Sequence, residues 1–582
     1  MSPSKPDELN RTSPFRRYVQ DPEHRISRIG SGEIGGKALG LAFIDNVIAS
    51  QFDASRHPDF RVTIPRVSVV CTKVFEGFMN RNSLWEYVAN RDNSDAEIAR
   101  TFLKADFPAE ITGDLMALVS NHRLPLAVRS SSLLEDALAN PFAGVYATKM
   151  IPNDSHDPSE RFRRLTEAIK YVWASTYFHD ARDYLERSGL AYDSERMAVI
   201  IQEVVGQPHN GRFYPDISGV TRSFSWYPIG RARPDQGVVQ LALGLGKTIV
   251  DGGLCWIYCP AMPKVGPPVG SVRDRLETTQ TEFWSVRMGK PPKWDPAKET
   301  EYMDKVSITE AEKDGVLSPL VSTYDGESDR LLPGTAHSGP RVLDFAPILQ
   351  HRVMAFNELI RDLMELGAEA AHSPVEIEFA GVINSKKPHD LALLQIRPMA
   401  VAAEEISLED TKASDKQLLF SDQAIGHGLV YGIHDVVYVR PESWDAAHSR
   451  KIADEIGELN RKMLQEGRPY LLIGFGRWGS SDPWLGIPVT WSQISGAQVI
   501  VEVSGDKIQA DLSQGSHFFH NLSAFGVCYL SIREGGQRRL DWEWLAEQEI
   551  LHEGNWIRHI RTESPLVVRV DGRQLKGVIE HG

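Results

Sequence analysis

Between Pro374 and Pro398 the chain reads PVEIEFAGVINSKKPHDLALLQIRP. Two apolar runs flank a polar turn around Lys386 to Asp390, and in the first run charged and apolar residues alternate. A period of two predicts strands and places Glu376 and Glu378 on one face. Gln395 and Arg397 repeat that spacing in the second run. If the runs pair as antiparallel neighbours, two carboxylates, an amide oxygen and a guanidinium meet on one surface. Carboxylates side by side among apolar residues repel one another unless a cation accompanies them. Mg2+ held against triphosphate oxygens would supply that charge. A hairpin with cross-strand salt bridges is the plainer alternative.

Two segments nearer the start offer cations to the same chemistry. In IGSGEIGGKALGLAFIDNVI, glycines at 30, 32, 35, 36 and 40 precede or interrupt an apolar stretch with helical spacing (Leu39, Phe43, Ile44, Val47). This predicts a loop feeding a helix N-terminus, where anions are favoured, and Lys37 stands there. In LPLAVRSSS, Arg129 ends a short buried strand. A buried guanidinium is costly unless paired, and a phosphate is a natural bidentate partner. Ser130, Ser131 and Ser132 add hydroxyl donors, while an ion pair with Glu135 or Asp136 is the structural alternative. MAVIIQEVVG (197–206) is a continuous apolar strand.

Composition bounds the remaining classes. At ~150 residues per domain, 582 residues make about three or four units. A net charge of -14 argues against a generic nucleic-acid or anionic-membrane binder, since both need an excess of Lys and Arg. Only four cysteines occur, and Cys255 and Cys259 read as buried thiols on or near a strand. With no secretory pattern at the start and no run of ~18 apolar residues, a cytoplasmic protein is expected.

Polar residues 1–25 are expected to be poorly ordered, residues 158–189 to form one long helical segment, and residues 344–370 another helix. Residues 261–340, rich in Pro, Gly and charge, predict an irregular insertion. A composition shift over 402–417 predicts a linker before a separate α/β unit, 418–582.

GGKALGL, AVRSSSLLEDALANPFAGVY, VIIQEVV, SGV, ALGLGKTIVDG and EIEF…LLQIRP occur in the order seen in the nucleotide-binding domain of pyruvate phosphate dikinase and phosphoenolpyruvate synthase. Over residues 25–400 the chain resembles that family. The resemblance implies an α/β (α+β) class: a two-lobed ATP-grasp module, with lobes 26–230 and 231–401, followed by the smaller C-terminal domain. It implies ATP and Mg2+ as cofactors. Lys37 and Arg129 then look like phosphate-contacting cations, and 130–144, with Ser130 and Ser131, like a loop over the phosphates. Gln202, Glu203 and Val205 resemble the segment that holds adenine. Glu378 and Gln395 resemble Mg2+ ligands with Glu376 beside them, and Arg397 the arginine that stabilises the transferring phosphoryl group. Lys247 departs from the family, which often has glutamate there.

Downstream, the TGG-x-x-x-H-like phosphohistidine motif and room for the pyruvate-binding barrel are missing, so an intact dikinase or synthase is not expected. The phosphoryl acceptor is expected to be a histidine or a small molecule, with a separate phosphohistidine-domain protein as a compatible partner. An ATP-grasp ligase working through an acyl-phosphate, or a non-catalytic ATP-binding scaffold, are the alternatives. In the C-terminal unit, LLIGFGRWGSSDPWLG combines a glycine loop with Arg477, Trp478, Ser480, Ser481, Asp482 and Trp484. His517 and His520, with His427 as a third candidate, could carry a phosphoryl group, bind a metal or merely pack.

Overall fold

The computed structural model describes residues 12–17, 25–132, 145–187, 195–225, 232–264, 272–277, 279–399, 406–408, 417–479, 484, 486–504, 525, 527–533 and 540–581. They fall into two compact units. One comprises Met1–Ser223, Gln236–Ile249 and Leu254–Met399; the other comprises Phe224–Asp235, Val250–Gly253 and Ala400–Gly582.

In the first unit the chain lays down β1 (Thr12–Pro14), β2 (Ile26–Ile29), helix α1 (Gly36–Gln51), β3 (Phe60–Thr63), β4 (Val67–Val70), β5 (Leu126–Ser132), β6 (Thr148–Ile151) and β7 (Met197–Glu203). Six of these strands form a sheet in the order β1-β2-β4-β7-β5-β6. Its central strands, VSVV in β4 and MAVIIQE in β7, are near-continuous apolar runs, as burial on both faces requires. Further on come β8 (Gln207–His209), β9 (Arg212–Tyr214), β10 (Ile217–Arg222), β11 (Val238–Ala242), β12 (Trp256–Tyr258), β13 (Glu282–Arg287), β14 (Met303–Ser307), β15 (Ser322–Asp325), β16 (Arg330–Pro333), β17 (Arg341–Val342), β18 (Val375–Val382) and β19 (His389–Pro398). A second six-stranded sheet runs β12-β11-β10-β18-β19-β3. Thus β3 and β10, drawn from the stretch expected to make the first lobe, belong to the second sheet. Hydrophobic burial is blind to chain order, and Phe60 packs with Phe356 and Phe379 of the later segment in one core.

Other differences from expectation have local causes. Residues 261–340 are not irregular: β13 and β14 extend a sheet with β8 and β9, and β15–β17 make another. Their strands are short and do not alternate cleanly: Ser285 and Val286 are adjacent buried residues in β13, and Asp304 and Lys305 are adjacent charges in β14. The helical stretch after Pro158 is two helices, α2 (Pro158–Ser175) and α3 (His179–Arg187). Asp95 accepts from the His179 amide at 2.9 Å and so caps the restart. Residues 344–370 likewise divide into Ala346–Leu349 and α4 (Phe356–Ala371), because Arg352 adopts a left-handed φ of 55°. Within the N-terminal stretch, β1 pairs in parallel with β2; the rest of 1–25 lies outside the described residues except 15–17 and 25.

The second unit centres on a nine-stranded sheet. Its members are β20 (Gln417–Ser421), β21 (Ala424–Ile425), β22 (Gly428–Val439), β23 (Tyr470–Phe475), β26 (Ala497–Ser504), β27 (Cys528–Arg533), β28 (Glu549–Glu553), β29 (Ile557–Asp571) and β30 (Lys576–Glu580), while β24 (Arg477–Trp478) and β25 (Gly486–Ile487) form a separate pair. Strands β22, β23, β26 and β27 run parallel to one another in that order, and helix α5 (Ser449–Gln465) lies between β22 and β23 in the chain. This is the α/β unit expected from the sequence.

Candidate active site

Helix α1 starts against the end of β5, and glycine makes that approach possible. Gly35, the N-cap, has φ 79°, and a Cβ built on it would stand 1.8 Å from the carbonyl oxygen of Ser131. One turn on, a Cβ at Gly40 would stand 2.7 Å from the carbonyl of Ile396 in β19. The helix therefore wedges between the two sheets with its first turn beside Arg129.

The serines of β5 secure that turn. Ser131 accepts from the Ala38 amide at 3.1 Å and donates to the Ile34 carbonyl at 2.8 Å. Lys37 donates from Nζ to Ser130 Oγ at 3.1 Å. Ser132 donates to Glu195 at 3.0 Å. All three serines are buried, and their hydroxyls hold the helix and strand in place. The phosphate-loop expectation for residues 133–144 falls outside the described residues.

From the same strand Arg129 crosses to the second sheet. Its Nη2 donates to Glu378 Oε2 at 3.0 Å and to Gln395 Oε1 at 2.7 Å. Its Nη1 donates to the Leu394 carbonyl at 3.2 Å and to Gln202 Oε1 at 3.4 Å. Strands β18 and β19 pair antiparallel, with Glu376 opposite Arg397 and Glu378 opposite Gln395, so the four side chains share a face. The register shifts between Glu378 and Phe379, and Leu394 is the extra residue. Such a bulge breaks the ladder locally, and here the Leu394 carbonyl turns to Arg129.

Burial alone would raise the pKa of Glu378, but Arg129, and then Arg397 and Lys37, outweigh it and hold the carboxyl below its ordinary value. The group stays ionised inside the fold because three cations face it. Glu376 is the deeper carboxylate. Arg222 donates to it from β10 at 2.6 Å, and Arg397 bonds it from β19. The cross-strand salt bridge weighed from sequence is therefore present at Glu376, while Glu378 and Gln395 turn their oxygens to a common point.

Of the residues expected to hold adenine, Gln202 turns its side chain to Arg129, and Glu203 pairs with His122 Nδ1 at 2.9 Å while its amide donates to the Arg66 carbonyl. Val205 follows the strand half-buried. Lys247 stands 3.7 Å from Glu299. Arg222 and the Leu394 carbonyl were not singled out from the sequence. Both emerge only once strand register is known, Arg222 because it stands opposite Glu376 across β10 and β18.

Cys259 is buried as expected but Cys255 is only half-buried, neither forms a disulfide, and among the described residues no group of three or more His, Cys, Asp or Glu gathers as a metal site. In the second unit His427 has a 2% exposed side chain, and its Nδ1 accepts from the Gly572 amide at 3.3 Å beside Asp571. Trp478 is buried and donates from Nε1 to the Val501 carbonyl, whereas Trp484 is exposed. Arg477 is half-buried in its short strand pair. Ser480, Ser481, Asp482, His517 and His520 lie outside the described residues.

Glu378 Oε2 and Gln395 Oε1 suit Mg2+, which takes a few protein oxygens and completes its shell with water and phosphate. Lys37 at the start of α1, with Arg129 and Arg397, suits a polyphosphate. Rifampicin phosphotransferase from Streptomyces sviceus is 30% identical over 159 residues, which is 27% of this chain and 16% of that protein. Rifampicin phosphotransferase from a Streptomyces species is 24% identical over 241 residues, 39% of this chain and 24% of that protein. The match thus spans a quarter or less of either relative. The family model described as the pyruvate phosphate dikinase AMP/ATP-binding domain matches residues 31–418, the greater part of the chain, and the chain belongs to that family.

Proposed function

We propose that the protein is an ATP-dependent phosphotransferase that binds Mg-ATP in the first unit and passes a phosphoryl group to a histidine or a small molecule. The observation that carries this reading is the meeting of Arg129 from one sheet with Glu378 and Gln395 from the other. Cations for phosphate and oxygens for a metal converge there within one folded unit.

Each residue has a role that follows from its surroundings. Lys37, beside the first-turn amides of α1, binds phosphate oxygens where the helix dipole already favours negative charge. Arg129 and Arg397 hold charge that spreads over the transferring group, and Glu376 with Arg222 fixes the direction of the Arg397 guanidinium. Glu378 and Gln395 would hold Mg2+, which would offset the negative charge of the phosphates. The backbone at Val205 would take the adenine, since the side chains of Gln202 and Glu203 are engaged elsewhere. This division of labour suits phosphoryl transfer, where positioning and charge neutralisation supply most of the catalysis.

The relatives' name supports a small molecule as one acceptor class, and a separate phosphohistidine-bearing protein is the other. Four free cysteines suit a reducing compartment, and we place the protein in the cytoplasm. No helix among the described residues is long and apolar enough to cross a membrane. Incubation of the full chain with labelled ATP, followed by separation of nucleotides and a search for acid-labile phosphoprotein, tests the reading. AMP and phosphate indicate dikinase chemistry, and ADP a simple kinase. Absence of adenine-nucleotide binding with magnesium would remove the reading altogether.

A further inference from the structure

We propose that the guanidinium of Arg129 and a divalent cation compete for a single seat formed by Glu378 and Gln395, so that Arg129 opposes metal binding until a nucleotide phosphate draws it aside. The inference rests on the nucleotide-site reading above and adds a rule to it: metal and phosphate bind together because one residue stands between them.

The geometry is specific. One nitrogen, Nη2, receives both oxygens, Glu378 Oε2 at 3.0 Å and Gln395 Oε1 at 2.7 Å. Two acceptors that meet on one positive nitrogen also define the place where a metal would meet them, with Mg–O distances of about 2.1 Å. An arginine nitrogen and a metal ion cannot both sit there. They would overlap in space, and two positive charges at that separation repel strongly in a partly buried site.

The guanidinium is not loosely placed. Its other arm, Nη1, bonds the Leu394 carbonyl at 3.2 Å and Gln202 at 3.4 Å. The Leu394 carbonyl is available because the bulge takes it out of the ladder. A phosphate offers the same fork a bidentate, charge-assisted alternative. Phosphate binding therefore pulls Arg129 off the two oxygens, and by linkage a metal on those oxygens raises phosphate affinity by the same factor.

The consequence is a change of opposite sign in two affinities. Arg129→Met should bind Mn2+ alone more tightly than the parent, about tenfold or more, and Mn-ATP more weakly. The measurement is free Mn2+ by electron paramagnetic resonance during titration of the full chain. Arg129→Lys, which keeps a charge but loses the fork, should show a smaller gain and serves if the Met variant does not fold. Adding Glu378→Gln to either variant should abolish the gain.

If both variants are folded by circular dichroism and neither binds Mn2+ alone more tightly than the parent, the shared seat is wrong. A gain that survives Glu378→Gln places the new Mn2+ elsewhere and also overturns it. Nucleotide binding by the parent is a separate readout. A parent that binds no adenine nucleotide, with a gain in Mn2+ affinity in Arg129→Met, retains the shared seat and removes the function proposed above.

Discussion

The carbonyl oxygen of Leu394 accepts from Arg129 at 3.2 Å although the two residues are 265 positions apart and stand in different sheets. The contact depends on an irregularity in β19, because a regular ladder would have committed that carbonyl to β18. A bulge thus gives the arginine an anchor beside Gln395 while Gln395 and Arg397 keep the face they share with Glu378 and Glu376. Bulges near functional sites commonly re-aim one group in this way.

Arg397→Ala should lower kcat by about 100- to 1,000-fold, the usual cost of removing one preorganised donor to developing charge, with little change in ATP affinity. The fold should survive, because Glu376 keeps Arg222 as a partner at 2.6 Å. Steady-state kinetics beside nucleotide titration check this. Equal losses in turnover and affinity would show that Arg397 holds the ground state as firmly as the transition state.

Glu376→Gln should act differently, through stability. Its carboxylate is the shared partner of Arg222 and Arg397, and removing one member of a buried ion pair costs about 3–5 kcal/mol. The mutant should unfold at markedly lower urea concentration than Arg397→Ala does. A stability like that of the parent would mean that water, and not Glu376, satisfies the two arginines.

Lys37→Ala should weaken ATP binding by roughly tenfold, the effect of about 1.4 kcal/mol, with a small effect on folding. The side chain bonds Ser130, and the helix start is stapled independently by Ser131. Calorimetry with Mg-ATP gives the number. An unchanged affinity would take Lys37 out of the site.

Much of this arrangement was readable in the residues. The alternation in VEIEF fixed one face for Glu376 and Glu378, and glycines before an apolar run marked the start of α1. What could not be read was partnership. Whether a carboxylate meets a metal or an arginine depends on strand register, and Arg222 entered the network because β10 pairs with β18. The assignment of Ser131 to the helix start was equally hidden, since a hydroxyl beside a buried arginine can serve a ligand or the fold. Strands β13 and β14 were missed because a period of two is broken in each, by the adjacent buried residues Ser285 and Val286 and by the adjacent charges Asp304 and Lys305. The break between α2 and α3 was missed because the apolar side, with Trp173 and Tyr177 both buried, continues across it.

The last prediction concerns the second unit, where Glu502 is fully buried in the parallel part of the sheet and bonded by the Tyr529 hydroxyl. Burial pushes its pKa up to about 7, against smaller opposing effects from that bond and from Arg477. The folded state therefore keeps a proton that the unfolded state, titrating near its ordinary value of 4.5, has released. The contribution is fully present below that value, falls as pH rises towards 7, and is flat above. Glu502→Gln keeps the shape without the charge. It should match the parent near pH 4.5 and exceed it at pH 8 by up to about 3 kcal/mol, because each pH step between the unfolded and folded values contributes about 1.4 kcal/mol. Urea denaturation of both chains at the two pH values decides the matter: a constant difference between them would mean that Glu502 is ionised in the fold throughout, and that a cation holds it so.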